Sequence, residues 1–179
     1  MSIPNEAEDV KLFMSLFSAE ADLLEKTVLR VQEFFGPIDW QSPPLFFDRT
    51  QYYAKEMGWP LHRRFVTFEK LIRPEALVKI KLKTNSLEQD YREQDKRRIN
   101  IDPGYIAMER LVLATGKNYT HRIYLAEGIF ADLTLVFNQG TFKPLAWTYR
   151  DYADPEIIAV LNQLRENYKN QVRGLDGPT

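Results

Sequence analysis

The chain has 179 residues, of which 44% are hydrophobic and 27% charged, and its formal net charge is −1. This composition predicts a single globular domain spanning residues 1–179, with an ordered core at about 10–172 and a frayed tail at 173–179. The absence of cysteine excludes disulfides, thiolate metal sites and a cysteine nucleophile. No metal site is predicted, since the chain has only two histidines.

Charge and hydropathy also bear on partners and compartment. The near-neutral charge is unlike that of a dedicated nucleic-acid binder, although residues 61–100 carry 11 basic and 6 acidic side chains. The N-terminus lacks the basic start and apolar core of a signal peptide. No apolar run is long enough to cross a bilayer. A cytoplasmic protein without a membrane partner is therefore expected.

The first half of the chain predicts the order strand, helix, strand, strand, helix, strand. Ser18 is a plausible N-cap for the first helix, which Gly36-Pro37 ends. Residues 77–93 fit both strand alternation and helical spacing, and their length favours a helix. The predicted elements are strand 11–17, helix 19–35, strand 45–48, strand 64–72, helix 77–93 and strand 97–102. This βαββαβ order is that of a ferredoxin-like core.

The second half extends this core. Residues 106–113 predict a short helix ending at Gly116, and a three-strand antiparallel meander follows at 120–126, 128–137 and 141–147. Glycine-containing turns at Glu127-Gly128 and Asn138-Gln139-Gly140 join these strands. A C-terminal helix over 154–172 has Asp154 as N-cap and Pro155 at its first position. The predicted fold class is therefore α+β.

Several common functional motifs are absent. The sequence contains no G-x-x-x-x-G-K-[ST] loop, no G-x-G-x-x-G fingerprint and no G-x-S-x-G elbow. Two-histidine phosphoesterases of ferredoxin-like fold use paired H-x-[ST] motifs. The tripeptides here are His62-Arg63-Arg64 and His121-Arg122-Ile123, and neither has a hydroxyl at its third position.

The run from Lys96 to Tyr105 is the strongest candidate for a site. On a strand, Arg98, Asn100 and Asp102 would share one face. Arginine can bind phosphate or carboxylate, asparagine can donate and accept hydrogen bonds, and aspartate can act as a base or bind Mg²⁺. The alternative is an exposed strand edge followed by a Pro-Gly turn.

Three further groups of residues are weaker candidates. On a helix, Lys81, Asn85 and Glu88 would share one face, where the lysine and the amide could converge on an anion, although a solvated lysine face is the more common explanation. His121 is a candidate catalytic group beside the anion-binding Arg122, but a lone histidine is more often structural. Glu56 is a candidate proton or metal acceptor. The nearby aromatic residues, which are Tyr52, Tyr53, Trp59 and Trp147, could line a ligand wall or close the core.

Six blocks of the sequence together resemble a known family. They are YYAKEMG, RRFVTFEKLI, KLKTNSLE, KRRINIDPGYI, HRIYLAEGIFAD and AWTYRDY. In this order and spacing they resemble a bacterial family described only as domain of unknown function 4416, over about residues 10 to 170. The resemblance implies no established activity, and the blocks include the polar runs singled out above.

The sequence leads to three functional hypotheses. The first is binding of an anionic, phosphate-bearing small ligand or nucleotide, with hydrolase or transferase chemistry as an extension. Arg98, Lys81 and Arg122 would then hold the anion. The second is a non-catalytic protein-binding adaptor. The third, an RNA-binding module, is weakened by the neutral charge and by the lack of RRM-type aromatic motifs. No cofactor or oligomeric state is indicated.

Overall fold

The computed structural model describes residues 1–47 and 54–174. Its strands form one large sheet, and three long helices pack on that sheet. The helices are α1 (Ala21–Phe35), the single-turn α2 (Ala54–Met57), α3 (Leu77–Asp90), which a 3₁₀ turn at Pro74–Ala76 precedes, and α4 (Pro155–Val172). The strands are β1 (Val10–Ser18), β2 (Ile38–Gln41), β3 (Leu45–Phe47), β4 (Leu61–Ile72), β5 (Asn100–Ile106), β6 (Arg110–Thr115), β7 (Arg122–Ala126), β8 (Ile129–Asn138) and β9 (Thr141–Pro144).

The described strands form one antiparallel sheet, in which seven lie side by side in the order β2-β4-β1-β5-β6-β8-β7. β3 pairs with the start of β4, and β9 pairs with the end of β8. Leu135 and Val136 of β8 both pair with β6 along one edge of the strand and with β9 along the other. β7 and β9 therefore follow one another along the same edge of β8, which differs from the consecutive meander predicted for these strands.

Helices cover the sheet on both faces. Leu12, Met14 and Leu16 of β1 pack with α1 and α3 on one face. Phe13, between them, points to the other face and packs with Leu161 and neighbouring residues of α4. Every residue of β1 is consequently buried, which explains why its sequence is almost continuously apolar rather than alternating.

Local sequence signals placed several elements correctly. Residues 77–90 form the helix that their length favoured. Asp154 caps α4, because its Oδ1 accepts a hydrogen bond from Glu156 N at 3.1 Å. In the hairpin between β7 and β8, Glu127 and Gly128 both have positive φ, as a type I′ turn requires.

The helix predicted over 106–113 is wrong, because this segment contributes to two strands. β5 extends to Ile106, and β6 begins at Arg110. In β6, Leu111 and Leu113 face the α4 side of the sheet while Val112 faces the α3 side. A short apolar run of this kind fits both the helical repeat and the two-residue repeat of a strand. Pairing with β5 and β8 makes this segment a strand.

Strand β5 also departs from the prediction at both ends. It begins at Asn100, so Arg98 precedes it, and it continues through Pro103 and Gly104 instead of turning there. A side chain at Gly104 would place its Cβ 2.3 Å from Val112 O, which explains the glycine. Pro103 lies beyond the pairing with β6, where its missing N–H is not needed.

Two smaller differences lie nearer the N-terminus. β2 lies between the predicted helix 19–35 and the predicted strand 45–48, where no element was predicted, and it pairs with β4. The N-cap of α1 is Glu20, and Ser18 instead accepts a hydrogen bond from Glu20 N at 3.0 Å. Tyr52 and Tyr53 lie outside the described residues, as does the 175–179 part of the predicted tail. Among the described helices, none is both long and apolar enough to cross a membrane.

Candidate functional site

A cluster of polar side chains, here called the β5 cluster, surrounds the first half of β5. Its members are Glu56, Lys81, Glu88, Arg97, Asn100 and Asp102. Helix α3 provides Lys81 and Glu88, and α2 provides Glu56. Asn100 and Asp102 lie on β5, and Arg97 lies in the segment just before it. Lys81, Glu88 and Asn100 are buried, while Glu56 is exposed, so the cluster extends from the interior to the surface.

Two α3 side chains bind the edge of β5 that faces away from β1, at a position that β6 does not reach. β6 pairs with β5 only from Gly104 onward. At Ile101 the outer edge of β5 is instead bound by Glu88, whose Oε1 accepts the Ile101 N–H at 2.7 Å. Lys81 Nζ donates to Ile101 O at 3.0 Å. Seven residues separate Lys81 from Glu88, so both lie on one helix face and reach the same peptide edge.

Glu88 has the most unusual electrostatic environment of the cluster. Burial raises its pKa to about 7, and the positive charge of Lys81 together with the Ile101 N–H offsets only part of that effect. Lys81 Nζ also lies 3.5 Å from Asp102 Oδ1. Glu88 therefore exchanges its proton near neutral pH, within a network that already holds a cation and a second carboxylate.

Arg97 links this buried network to the surface. Its Nη1 donates to Asn100 Oδ1 at 2.7 Å, and its Nη2 donates to Glu56 Oε2 at 3.0 Å. Nη1 also lies 3.8 Å from Glu88 Oε2. The amide nitrogen Nδ2 of Asn100 in turn donates to Asp102 Oδ2 at 2.7 Å. Charge-assisted hydrogen bonds thus connect Glu56 continuously to Asp102.

An open groove lies above the outer end of the β5 cluster. Arg98 on its rim donates to both Glu20 carboxylate oxygens, at 2.7 and 2.6 Å, and lies 3.3 Å from Glu93. That bidentate contact lowers the pKa of Glu20. No described residue forms an ion pair with the Lys96 ammonium. This arginine groove has a volume of about 390 Å³ and is lined by Glu20, Glu56, Met57, Gly58, Glu93, Gln94, Lys96, Arg97 and Arg98.

On the α4 side of the sheet, a buried arginine adjoins the β5 cluster. Arg63 donates to Ser15 Oγ at 2.8 Å and to Asp151 Oδ2 at 2.6 Å. Its guanidinium also lies 4.5 Å from the centre of the Phe65 ring. Ser15 is the direct neighbour of Asp102 in the β1–β5 register, so polar side chains continue from β5 across β1 to β4.

A second polar cluster, here called the β8 cluster, lies around Asp132. Arg122 Nε donates to Asp132 Oδ2 at 2.8 Å, and Arg122 Nη2 donates to Tyr149 Oη at 3.0 Å. His121 Nε2 lies 3.3 Å from the same carboxylate oxygen, and its ring stacks on Trp147 at 4.9 Å. His121 Nδ1 is buried and has no hydrogen-bond partner in the described structure. The contact with Asp132 and the stacking on Trp147 together fix the orientation of the His121 ring.

A further groove of about 250 Å³ lies near the opposite end of β1. It is lined by Lys11, Asp39, Trp40, Thr67, Leu164 and Asn167. Lys11 is buried, pairs with Asp39 and donates to Gln171 Oε1 at 2.7 Å, and Thr67 Oγ1 donates to Asp39 at 2.6 Å. None of the site residues predicted from the sequence lies in this groove.

A family model described as a domain of unknown function (DUF4416) matches residues 8–168, which is most of the chain. The chain belongs to the DUF4416 family. No curated protein and no solved structure matches it. Family membership therefore assigns no activity to the chain.

The structure brings four of the predicted site residues of this DUF4416 chain together. Lys81, Asn100, Asp102 and Glu56 all belong to the β5 cluster. Arg97, which joins them, was not singled out, although it stands in the same basic run as Arg98. Arg98, the next residue, binds Glu20 rather than Asn100, because the two arginine side chains point in different directions.

The other five predicted residues are placed elsewhere. Arg98 lies on the rim of the arginine groove. His121 and Arg122 belong to the β8 cluster, two strands further along the sheet. Tyr105 packs against the apolar residues between α3 and β6, where burial raises its pKa. The side chain of Asn85 forms no hydrogen bond to any described residue.

Glu88 is the important residue that sequence reasoning left out of the candidate site. Its seven-residue spacing from Lys81 was a usable signal, since that spacing puts both groups on one helix face. As for metals, no group of three or more histidine, aspartate or glutamate side chains in the described part of the chain is arranged to bind an ion.

Proposed function

We propose that this protein binds an anionic, phosphate-bearing small molecule or nucleotide in the arginine groove. The observation that carries this proposal is that Lys96, Arg97 and Arg98 line one groove in succession, with Arg97 anchored to the buried Asn100. Guanidinium groups bind phosphate oxygens through paired hydrogen bonds, and the ammonium adds a flexible positive charge. Together they supply the cations that a phosphate or diphosphate group needs.

The carboxylates already in the groove are compatible with an incoming phosphate. Glu20, which pairs with Arg98, is half exposed, and such ion pairs contribute about 0–1 kcal/mol. A phosphate can therefore replace Glu20 on Arg98 at little cost. Once displaced, Glu20 and the nearby Glu56 and Glu93 can accept hydrogen bonds from ligand hydroxyl groups. A phosphorylated sugar or a nucleotide, which has both kinds of group, fits this mixed lining better than inorganic phosphate.

The buried end of the β5 cluster suits proton transfer to or from such a ligand. Glu88 has a pKa near 7, and Asp102 is one-third exposed beside Lys81. A general base works best when its pKa is close to the working pH. Asp102 does not line the groove, so in a hydrolase or transferase a ligand anchored there would have to extend past Asn100 for Asp102 to accept the proton of the attacking hydroxyl or water. Glu88 and Lys81 would then set the charge around Asp102.

We also propose that residues 10–106 form a ferredoxin-like unit, which would place the groove at one end of its sheet. The support is the spatial order β2-β4-β1-β5 combined with the chain order β1, α1, β2, β4, α3, β5. Both helices pack on the same face of these strands. The remaining strands and α4 would then be an extension of this unit.

A thermal-shift screen tests the ligand proposal. The panel contains nucleoside mono-, di- and triphosphates and phosphorylated sugars, each with and without Mg²⁺. A ligand of the groove is expected to raise the melting temperature in a concentration-dependent manner. Lys96→Ala and Arg98→Ala should lose that rise, measured against the ligand-free melting temperature of each variant.

Lys143→Ala is the matched control, because Lys143 is an exposed lysine on β9 outside the groove. It should keep the full shift. If no compound raises the melting temperature, or if all three variants lose the shift equally, the groove is not a phosphate site. With a ligand in hand, phosphate release that Asp102→Asn abolishes would support the hydrolase extension.

A non-catalytic protein-binding adaptor is the second candidate. It is favoured by the exposed apolar side chains of β7, which include Ile123 and Tyr124. If this alternative is right, no compound of the panel should raise the melting temperature, whereas substitutions in β7 should abolish binding of a protein partner.

A further inference from the structure

Two irregularities in the sheet meet near the start of β1. In the pairing of β2 with β4, Ile38 lies opposite Phe68 and Trp40 lies opposite Thr67, so Asp39 is an additional residue. Such a β-bulge redirects side chains that would otherwise alternate between the two faces of a strand, and bulges are frequent beside functional sites. Asp39 and Trp40 accordingly line the same groove, although they are neighbours in sequence.

The second irregularity lies in the pairing of β1 with β4. Lys11 lies opposite Leu71 and Phe13 lies opposite Thr67, so β4 contributes additional residues between these two positions. The regular pairing is thus interrupted on both edges of β4, beside the ion pair of Lys11 with Asp39. The groove that contains this pair, here called the lysine groove, has a volume of about 250 Å³ and is lined by Lys11, Asp39, Trp40, Thr67, Leu164 and Asn167.

The ion pair of the lysine groove is unusual for its position. Lys11 belongs to a strand that is paired on both edges, and only 3% of the residue is exposed. The side chain of Asp39 is 30% exposed, so the carboxylate is the more accessible partner. Replacing a buried ion pair by apolar residues is often neutral or stabilising. The stability of the fold therefore does not by itself explain a charged pair here.

Several hydrogen-bonding groups of the lysine groove are unused. Lys11 Nζ has three donors and uses two, to Asp39 and to Gln171 Oε1 at 2.7 Å. Neither Trp40 Nε1 nor the amide nitrogen of Asn167 donates a hydrogen bond to a described residue. Each carboxylate oxygen of Asp39 accepts one hydrogen bond and has a further lone pair. The groove can therefore bind an acceptor group and a donor group at the same time.

We propose that the lysine groove binds a small aliphatic α-amino acid in its zwitterionic form. The carboxylate of the amino acid accepts hydrogen bonds from the donors of Lys11 and Asn167. Its ammonium group donates to Asp39, and its side chain packs against Leu164 and the Trp40 ring. A volume of about 250 Å³ corresponds to about eight water molecules, and valine has about as many non-hydrogen atoms.

The neutral charge of the groove selects a zwitterion over a simple anion or cation. Lys11 is already compensated by Asp39, so a lone carboxylate would bring an unbalanced negative charge next to Asp39. A lone amine would bring an unbalanced positive charge next to Lys11. An amino acid carries both charges and leaves the groove neutral. This inference goes beyond the phosphate proposal and is independent of it, because the two grooves share no lining residue.

Isothermal titration calorimetry with matched compounds tests the proposal. L-Valine should bind the wild-type protein saturably. Of its analogues, 3-methylbutanoate lacks the ammonium group, 2-methylpropylamine lacks the carboxylate, and glycine lacks the aliphatic side chain. Each analogue should bind at least about tenfold more weakly, because each loses one kind of contact. No binding of L-valine, or equal binding of any analogue, would overturn the proposal.

Substitutions show whether the lysine groove is responsible for binding. The double variant Lys11→Met with Asp39→Leu replaces the ion pair with apolar residues, so it should fold but fail to bind L-valine. Asn167→Ala should weaken binding, whereas Asn170→Ala, on the same helix but outside the groove, should bind as the wild type does. Circular dichroism shows whether each variant is folded. If the double variant does not fold, the comparison of the two asparagine variants is decisive. Unchanged binding in the folded double variant or in Asn167→Ala would overturn the assignment.

Discussion

Replacing Glu88 with glutamine should remove a pH dependence of stability that the buried carboxyl group imposes on the wild-type protein. Glu88 is buried between α3, to which it belongs, and β5, and burial is the main cause of its pKa of about 7. Glutamine has nearly the same shape and keeps an oxygen to accept the Ile101 N–H. The substitution therefore removes the titrating group while preserving the contact between α3 and β5.

The sign and magnitude follow from the two pKa values. An ordinary glutamate has a pKa of 4.5, so between that pH and about 7 the folded chain keeps a proton that the unfolded chain has released. The stabilising contribution is fully present below about 4.5 and disappears as the pH rises through 7. One pKa unit corresponds to about 1.4 kcal/mol, so the loss over this window is about 3 kcal/mol.

Urea unfolding followed by circular dichroism at several pH values measures this effect. The free energy of unfolding of Glu88→Gln, relative to wild type, should increase by about 3 kcal/mol from the acid to the neutral end of the window. Glu69→Gln is the control, because Glu69 is an exposed carboxylate on β4, and its curve should run parallel to wild type. A parallel curve for Glu88→Gln would refute the raised pKa.

Three further substitutions test the packing of the fold, each by chemical denaturation. Gly104→Ala should destabilise the protein by about 1–3 kcal/mol, since the new Cβ would meet Val112 O; a neutral effect would show that β5 and β6 separate freely. Asp132→Asn should cost about 3 kcal/mol, because the nearly buried Arg122 loses its carboxylate, and a loss below about 1 kcal/mol would contradict this. Asp154→Ala should cost about 1 kcal/mol by removing the cap of α4, with reduced helicity as the sign that the cap is responsible.

Features that depend on local chemistry could be predicted from the sequence. Asp154 followed by Pro155 is sufficient to start α4, and Glu127-Gly128 is sufficient to turn the β7–β8 hairpin. The segment from Leu111 to Thr115 is different. Its short apolar run fits a helix or a strand, and the pairing partners β5 and β8 that decide the outcome are made elsewhere in the chain.

The candidate site also combines features that could be predicted from local sequence with features that depend on distant parts of the chain. Asn100 and Asp102 were expected on one face of a strand because side chains alternate, and they are hydrogen-bonded to each other. The shared helix face of Lys81 and Glu88 could be predicted from their spacing, but their contact with the Ile101 peptide could not, since it depends on β6 ending its pairing at Gly104 and leaving Ile101 for α3. Likewise, whether Arg98 meets an anion or a carboxylate depends on where α1 begins, which places Glu20 beside it.

The central position of β1 has a consequence for synthesis on the ribosome. β1 precedes the other described strands along the chain, and its partners Ile72 and Ile106 follow Val10 and Lys11 by roughly 60 and 95 residues. Until β4 emerges, neither edge of this nearly continuous apolar segment can pair, and its second edge and its α4 face stay uncovered until β5 and α4 follow. Such a segment is a target for chaperones that bind nascent chains, and its late pairing favours slow folding. Translation rate and chaperone supply should therefore influence the yield of this protein more than its final stability does.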